Sequence, residues 1–135
     1  MRLVTGDNHL ISVRDGVVIC QVWLRPDLSA EQGAQNAKQM VDYLLGTLRV
    51  GTPHRGLIFD VRRGPPSFGP KTRETLLDLL SAADRAGIPV AFLAGATETQ
   101  TAQFRSLCAA SAATTTVLDS EAAAVHWFNT LKGKR

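Results

Sequence analysis

Two short stretches near the start of the chain have the extended, partly alternating pattern of apolar and polar residues that predicts β-strands. They cover residues 9–14 (HLISVR) and 17–24 (VVICQVWL), and the pair Asp15-Gly16 lies between them. An Asp-Gly pair between two such stretches is a strong hairpin signal, because Gly tolerates the positive φ of a tight turn. Pro26 ends the second stretch. The chain is therefore expected to begin with an antiparallel hairpin.

Helical spacing and short apolar runs alternate through the rest of the chain. Ser29 and Gln32 have the spacing of a capping box at the start of the first helix. Pro70 suits the first turn of a second helix, and Gly87 suits its end. Further strands are predicted at residues 56–61, 89–93 and 114–118, each followed by a helix. The resulting order, ββαβαβαβα, predicts an α/β fold with a mixed, mostly parallel sheet of about five strands and four helices.

Length and composition indicate a single domain over residues 1–135, with a core at about 9–131 and a basic tail at 132–135. Hydrophobic residues make up 44% of the chain, but no apolar run approaches the roughly 20 residues of a membrane helix. We therefore expect no membrane insertion. The N-terminus lacks the apolar core of a secretory signal, and Cys20 and Cys108 have no CxxC spacing. Both are expected to be reduced core residues in a cytoplasmic protein.

The segment Gly56 to Gly69, GLIFDVRRGPPSFG, contains the strongest candidate for function, Asp60. Its carboxylate lies at the carboxyl end of a buried strand, where open α/β proteins gather binding groups. The structural alternative is that Asp60 accepts hydrogen bonds from the loop 64–69 or pairs with Arg62 or Arg63. A catalytic role is the least favoured interpretation, because a single acid would need a partner such as His54.

A set of basic residues flanks the same strand: Arg49, Arg55, Arg62, Arg63, Lys71 and Arg73. It forms either a solvated rim or a docking surface for an acidic partner or a phosphorylated ligand. No interleaved aromatic residues, helix-turn-helix pattern or zinc spacing accompany it, so we expect no nucleic-acid binding. His9, His54 and His126 show neither metal-ligand spacing nor a nucleophile neighbour. The sequence therefore predicts a protein that is not an enzyme and has no metal or cofactor.

This element order resembles the STAS family, the domains of anti-sigma-factor antagonists and of the cytoplasmic ends of sulfate transporters. Two local features add to the resemblance: the acid Asp60 at the end of the third predicted strand, and a final helix from Glu121-Ala122 to Trp127-Phe128. The similarity extends over about residues 9–131 and is greatest to the stand-alone antagonists. It implies a regulatory domain that binds a protein partner, such as a kinase-like anti-sigma factor or another signalling protein.

The chain departs from the family at the usual phosphorylation site. Signalling members have a Ser before a Gly at the start of the second helix, and aligning the glycines places Phe68 at that position. Ser67 lies one residue earlier, so the usual phospho-switch is expected to be altered or lost. The residues considered for phosphorylation are, in falling order, Ser67, Thr72, Thr97 and Thr99. The threonines at the start of the third predicted helix, Thr97, Thr99 and Thr101, are also expected to supply its N-cap. Phe68 is interpreted either as a hydrophobic anchor for a partner or as a residue packed back onto the second helix.

The leading hypothesis is a non-catalytic STAS-like domain that binds a protein at the rim of the third predicted strand and second helix. The predicted contact residues are Asp60, Arg62, Arg63, Ser67, Phe68, Lys71 and Arg73. The alternative is a sensor that holds a small anionic ligand or nucleotide at the N-terminus of the second helix. A small hydrolase or isomerase using Asp60 is the least favoured hypothesis.

Overall fold

The computed structural model describes residues 2–49 and 53–132, which form one mixed α/β fold. Its strands are β1 (Arg2–Thr5), β2 (His9–Arg14), β3 (Val17–Trp23), β4 (Gly56–Arg63), β5 (Val90–Leu93) and β6 (Thr115–Leu118). Its helices are α1 (Ala30–Thr47), α2 (Pro70–Ala86), α3 (Glu98–Ala109) and α4 (Glu121–Lys132). The predicted fold class is confirmed. Of the predicted basic tail, residues 133–135 and the side chain of Lys132 lie outside the described residues.

The six strands lie in one sheet in their sequence order, β1 to β6. The first three pair antiparallel, and β3 to β6 pair parallel. Strand β1 was not predicted, so the sheet has one strand more than expected. It contains only four residues, and the register Val4↔Ile11 and Thr5↔Leu10 joins it to a strand beyond a tight turn. So short a segment has too little periodicity to identify it as a strand.

Local signals predicted the turns and helix ends correctly. Asp15 and Gly16 have φ values of 54° and 79°, the left-handed pair that a two-residue hairpin loop requires. The Ser29 hydroxyl accepts a hydrogen bond from the Gln32 backbone at 3.1 Å, and the Ser29 backbone donates to the Gln32 side chain at 2.9 Å. Gly87 ends α2 in the left-handed conformation, with φ 70°. These contacts fix where the helices begin and end relative to the sheet.

Each parallel crossover moves in the same direction across the sheet, so α1, α2 and α3 cover one face, here called the three-helix face. Helix α4 covers part of the opposite face, the α4 face. The core of the three-helix face includes Val18, Leu57, Phe92 and Leu79, all essentially inaccessible to solvent. Because the strand order never reverses, this sheet has no switch-point crevice of the kind expected around Asp60.

Candidate functional site

The loop 64–69 connects the carboxyl end of β4 to the first turn of α2. Strand β4 is longer than predicted, since its pairing with β3 continues after a bulge to Trp23↔Arg63. The Gly64 N–H then donates to the Val61 carbonyl at 2.9 Å and turns the chain. Gly69 is the N-cap of α2 and Pro70 follows it, as predicted. The loop is therefore held at both ends, with Pro65, Pro66 and Ser67 exposed between them.

Gln100 of α3 fixes the loop from the protein interior. Its side chain is 1% exposed, and its Oε1 accepts hydrogen bonds from the Gly95 and Ala96 N–H groups at 3.1 and 3.0 Å. Its Nε2 donates to the carbonyls of Val61 at 2.7 Å and Pro65 at 3.0 Å. These four hydrogen bonds use the full capacity of the amide. One buried side chain thus joins the loop after β4 to the loop after β5.

Two further residues of the α3 N-terminal region extend this bracing. Gln103 pairs with the backbone of Phe68, accepting from its N–H at 3.0 Å and donating to its carbonyl at 2.9 Å. The Thr97 hydroxyl donates to the Pro66 carbonyl at 3.0 Å and also accepts from the Gln100 N–H, so Thr97 is the one of the three candidate threonines that caps α3. The sequence interpretation missed Gln100 and Gln103. The sequence did contain a signal for Gln100, since it is a polar amide at a position of the predicted third helix that faces the sheet.

Phe68 points into the protein. Its ring meets Phe104 edge to face, with centroids 5.1 Å apart, and Phe104 in turn lies 4.9 Å from Phe92. Of the two interpretations of Phe68, the packed one is therefore closer to the structure, with the correction that the aromatic partner belongs to α3. The Phe68 ring anchors the loop to the core and is only partly accessible. It does not project as a free contact for a partner.

The basic residues around the loop are free of acidic partners. Arg63 and Lys71 are exposed and Arg73 is half-buried, and none of them forms an ion pair with any residue in the described ranges. Ser67 lies exposed in the same loop. Of the seven predicted contact residues, five lie in or beside the braced loop with their side chains at least partly accessible: Arg63, Ser67, Phe68, Lys71 and Arg73.

Asp60 and Arg62 lie elsewhere, on the α4 face. The Arg62 guanidinium donates from Nε to Asp60 Oδ1 at 3.0 Å and from NH2 to Oδ2 at 2.8 Å. The Arg62 backbone N–H also reaches Oδ1, and NH1 donates to the Asp119 carbonyl at 3.1 Å. The hydrogen bond to the Asp60 carboxylate raises the pKa of Arg62. Of the structural alternatives for Asp60, pairing with Arg62 is the one observed, and the pair links β4 to the turn before α4.

The structure does not combine the candidate catalytic residues into a site. His54 precedes the amino end of β4 and Asp60 is near its carboxyl end, so the strand, rising about 3.3 Å per residue, separates them by well over 10 Å. Burial raises the pKa of the Cys20 thiol, and the Asp60 carboxylate adds to this effect. Within residues 2–49 and 53–132, no three His, Cys, Asp or Glu side chains lie close enough together to hold a metal ion.

A cavity of about 300 Å³ lies under the loop on the three-helix face, between the N-terminal halves of α1 and α2. Its floor is formed by buried side chains of β3, β4, α2 and α3: Val22, Phe59, Val61, Leu76 and Phe104. The loop supplies part of its wall through Pro65, Ser67, Phe68 and Gly69. Sequence analysis did not predict this cavity, because its walls come from five separate elements.

Comparison with known proteins supports the fold alone. No protein-family model matches the chain, and no curated protein matches it. A solved structure, the NMR structure of the protein TM1081, is similar to it with a TM-score of 0.59. The two chains share 15% sequence identity over 88% of this chain and 86% of that protein. The chain therefore has the same α/β fold as TM1081.

Among the described helices, none is both long enough and apolar enough to cross a membrane.

Proposed function

We propose that this chain is a non-catalytic, STAS-like regulatory domain that binds another protein through a docking rim. The docking rim consists of the loop 64–69 and the basic side chains of Arg63, Lys71 and Arg73. The observation that carries the proposal is the bracing of this exposed loop by Gln100, Gln103 and Thr97. A surface loop held in place by hydrogen bonds loses little conformational freedom on binding, which favours affinity.

Charge supports an acidic partner. Arg63, Lys71 and Arg73 keep their positive charge unpaired by any described acid, whereas Arg14, Arg25, Lys38 and Arg62 each have an acidic neighbour. Unpaired charges of one sign attract an oppositely charged surface and raise the rate of association. Asp60 and Arg62 are not included in the docking rim, because they satisfy one another on the α4 face.

Ser67 is the best placed of the four residues considered for phosphorylation. It is exposed in the docking rim, while Thr72 is half-buried and the Thr97 hydroxyl is engaged as an N-cap and loop brace. Thr99 is exposed but lies in the first turn of α3, outside the docking rim. A phosphate on Ser67 would add about two negative charges to the docking rim and offset most of its three positive charges. Phosphorylation of Ser67 would therefore weaken binding to an acidic partner.

Charge reversal of the docking rim tests the proposal. We expect the triple variant Arg63→Glu, Lys71→Glu, Arg73→Glu to lose most of the binding partners captured from native cells by the wild-type protein, with at least a tenfold drop in yield. The matched control is Lys38→Glu, Arg49→Glu, Arg85→Glu, which changes the net charge equally at exposed positions outside the docking rim. Equal loss in both variants, or no loss in the first, would refute the docking rim.

A sensor for an anionic ligand or nucleotide at the α2 N-terminus stays a prediction. Pro70 occupies the first position of α2 and supplies no N–H group there. The cavity beside this helix end favours a ligand of different chemistry.

A further inference from the structure

We propose that the cavity between α1 and α2 binds a small uncharged molecule, mainly hydrocarbon or aromatic, of about ten non-hydrogen atoms. This inference goes beyond the proposed docking function and does not depend on it, since it rests on the shape and chemistry of the cavity walls. The class of ligand follows from how the cavity arises, what lines it, and which polar groups around it are already satisfied.

The cavity arises from small residues in the first half of α1. This half faces the cavity with Ala30, Gly33, Ala34 and Ala37. In the second half the corresponding positions carry Met40, Val41 and Leu44, which are buried against the sheet, and Leu48 caps the helix. Gly33 on this helix and Gly69 across the cavity both belong to its lining and have no side chain that could occupy the space. The second half of α1 is thus packed against the sheet, whereas a space remains between the sheet and the first half of the helix.

The floor of the cavity is apolar and rigid. Phe59 and Phe104 each pack against Phe92, at centroid distances of 5.7 and 4.9 Å, and the Phe68 ring closes the series from the loop side. Protein interiors are close-packed, so a void bordered by fixed aromatic rings does not collapse without cost. Apolar cavities of this kind stay poorly hydrated and accept apolar ligands.

Several polar residues in the wall have partners within the protein, whereas the hydroxyls of Ser67 and Thr72 make no hydrogen bond to any described residue and can meet the polar end of a neutral ligand. The Gln100 amide makes four hydrogen bonds to backbone groups, and Ser29 is engaged in the capping box of α1. Among the described residues that line the cavity, Arg25 alone is charged, and Asp27 neutralises it through two hydrogen bonds of 2.9 and 2.7 Å. A charged ligand would therefore be desolvated without an unpaired opposite charge to receive it, which favours an uncharged molecule.

The volume sets the size of the ligand. At about 30 Å³ for each water-sized group, the cavity of about 300 Å³ holds about ten non-hydrogen atoms. That is at the lower end of the range for small-molecule sites. A helix from a partner, about 10 Å across with its side chains, is too large to enter. Exposed Leu24, Ser29 and Ser67 border the cavity, so a small molecule can reach it from solvent.

The test uses 1-octanol as a neutral probe and octanoate as its anionic counterpart. We expect saturable changes in the methyl and aromatic NMR signals of Val22, Leu76 and Phe104 on addition of 1-octanol, with octanoate binding at least about tenfold more weakly. Ala37→Leu should fill the cavity and weaken 1-octanol binding at least about tenfold, while Gly46→Ala, at the opposite end of α1, should leave it unchanged. If Ala37→Leu does not fold, Ala34→Leu serves the same purpose.

Three results would overturn the inference. The first is the absence of saturable 1-octanol binding to the wild-type protein, which would leave the cavity to a side chain of a protein partner. The second is octanoate binding as tight as that of 1-octanol, which would exclude the uncharged class. The third is unchanged 1-octanol binding in the folded cavity-filling variant, whether Ala37→Leu or Ala34→Leu, which would place the probe elsewhere on the protein. None of these results depends on the docking rim, so failure here is distinct from failure of the proposed function.

Discussion

Gln100 is the residue on which the geometry of the docking rim depends most. Its amide satisfies backbone groups of two loops that are distant in sequence, at Val61 and Pro65 on one side and Gly95 and Ala96 on the other. Backbone groups left without a partner in a buried position cost about 1–3 kcal/mol each. The side chain therefore contributes both to global stability and to the shape of the surface loop above it.

Replacing this amide with an apolar side chain of similar size tests how much the stability of the protein depends on the hydrogen bonds of Gln100. We expect Gln100→Leu to lower the free energy of unfolding by about 2–4 kcal/mol, measured by urea denaturation. Gln35→Leu on the exposed face of α1 is the matched control and should change it by no more than about 0.5 kcal/mol. A loss in Gln100→Leu no larger than in the control would show that the hydrogen bonds of Gln100 do not hold the loops.

Protonation of His9 makes the free energy of unfolding depend on pH. The side chain is buried against Gly6 and Asn8, and burial lowers the pKa of the imidazole from its ordinary value of 6.5, while the Asp7 carboxylate partly opposes the shift. The unfolded chain therefore binds a proton at a higher pH than the folded protein does. Stability from His9 is fully present above pH 6.5 and is lost as the pH falls below that value.

The measurement is the free energy of unfolding at pH 7.5 and 5.0 in wild-type protein and in His9→Gln. The wild-type protein should lose more stability over this interval than the variant, whose side chain does not titrate. An identical loss in both proteins would mean that the imidazole is as easily protonated in the folded state as in the unfolded one.

At the scale of elements, α1 combines a well-formed N-terminus with two residues that weaken helices. Gly33 and Gly46 lie within the helix, and a Cβ at either would meet no atom within 4 Å. Gly87 also has open space around it, but its φ of 70° belongs to the left-handed region. Both Gly46 and Gly87 thus have room for a Cβ atom, and the two positions differ in their backbone conformation.

Alanine at these two positions should have opposite effects. We expect Gly46→Ala to raise the free energy of unfolding by about 0.5–1 kcal/mol through reduced backbone entropy in the unfolded chain. Gly87→Ala should lower it by about 1 kcal/mol, since Ala is strained at positive φ. Thermal or urea unfolding of both variants measures the difference, and effects of the same sign would contradict the assigned conformation of the α2 C-terminus.

The elements also show what could be predicted from sequence and what could not. Asp15-Gly16, the Ser29 capping box and Gly87 depend on the conformations of neighbouring residues, so local rules identified them. Strand β1 depends on pairing with β2, and the braces from Gln100 and Gln103 link residues 35 or more positions apart. Such contacts become visible only when the strand order places α3 beside the loop after β4.

The position of Asp60 illustrates the same limit. The sequence correctly predicted that Asp60 lies at the carboxyl end of a buried strand, but it did not predict on which face of the sheet the side chain would lie. Ile58 belongs to the core beneath α4, and the two-residue period of a strand puts Asp60 on that side as well. The cavity and the docking rim lie on the three-helix face. Because no local signal identified which face would carry α4, the predicted site joined residues that the fold separates.

On the scale of the whole molecule, the two faces of the sheet differ in how they are covered. The three-helix face holds the cavity, and its loop 64–69 is both the cavity wall and the centre of the docking rim. The α4 face is closed by Ala124 and Phe128 packed on Val17, Ile58 and neighbouring residues. It is further tied by the ion pairs of Asp60 with Arg62 and Arg14 with Glu121. The proposed function therefore assigns partner binding to one end of one face.

Hydrogen–deuterium exchange of the complex with a captured partner tests that assignment most directly. If the docking rim binds the partner, amide protection should increase over residues 63–73 and remain unchanged over α4. The triple variant Arg63→Glu, Lys71→Glu, Arg73→Glu should show no such increase at the same partner concentration. Protection that appears over α4, or that leaves residues 63–73 unaffected in the wild-type complex, would contradict the proposed docking rim.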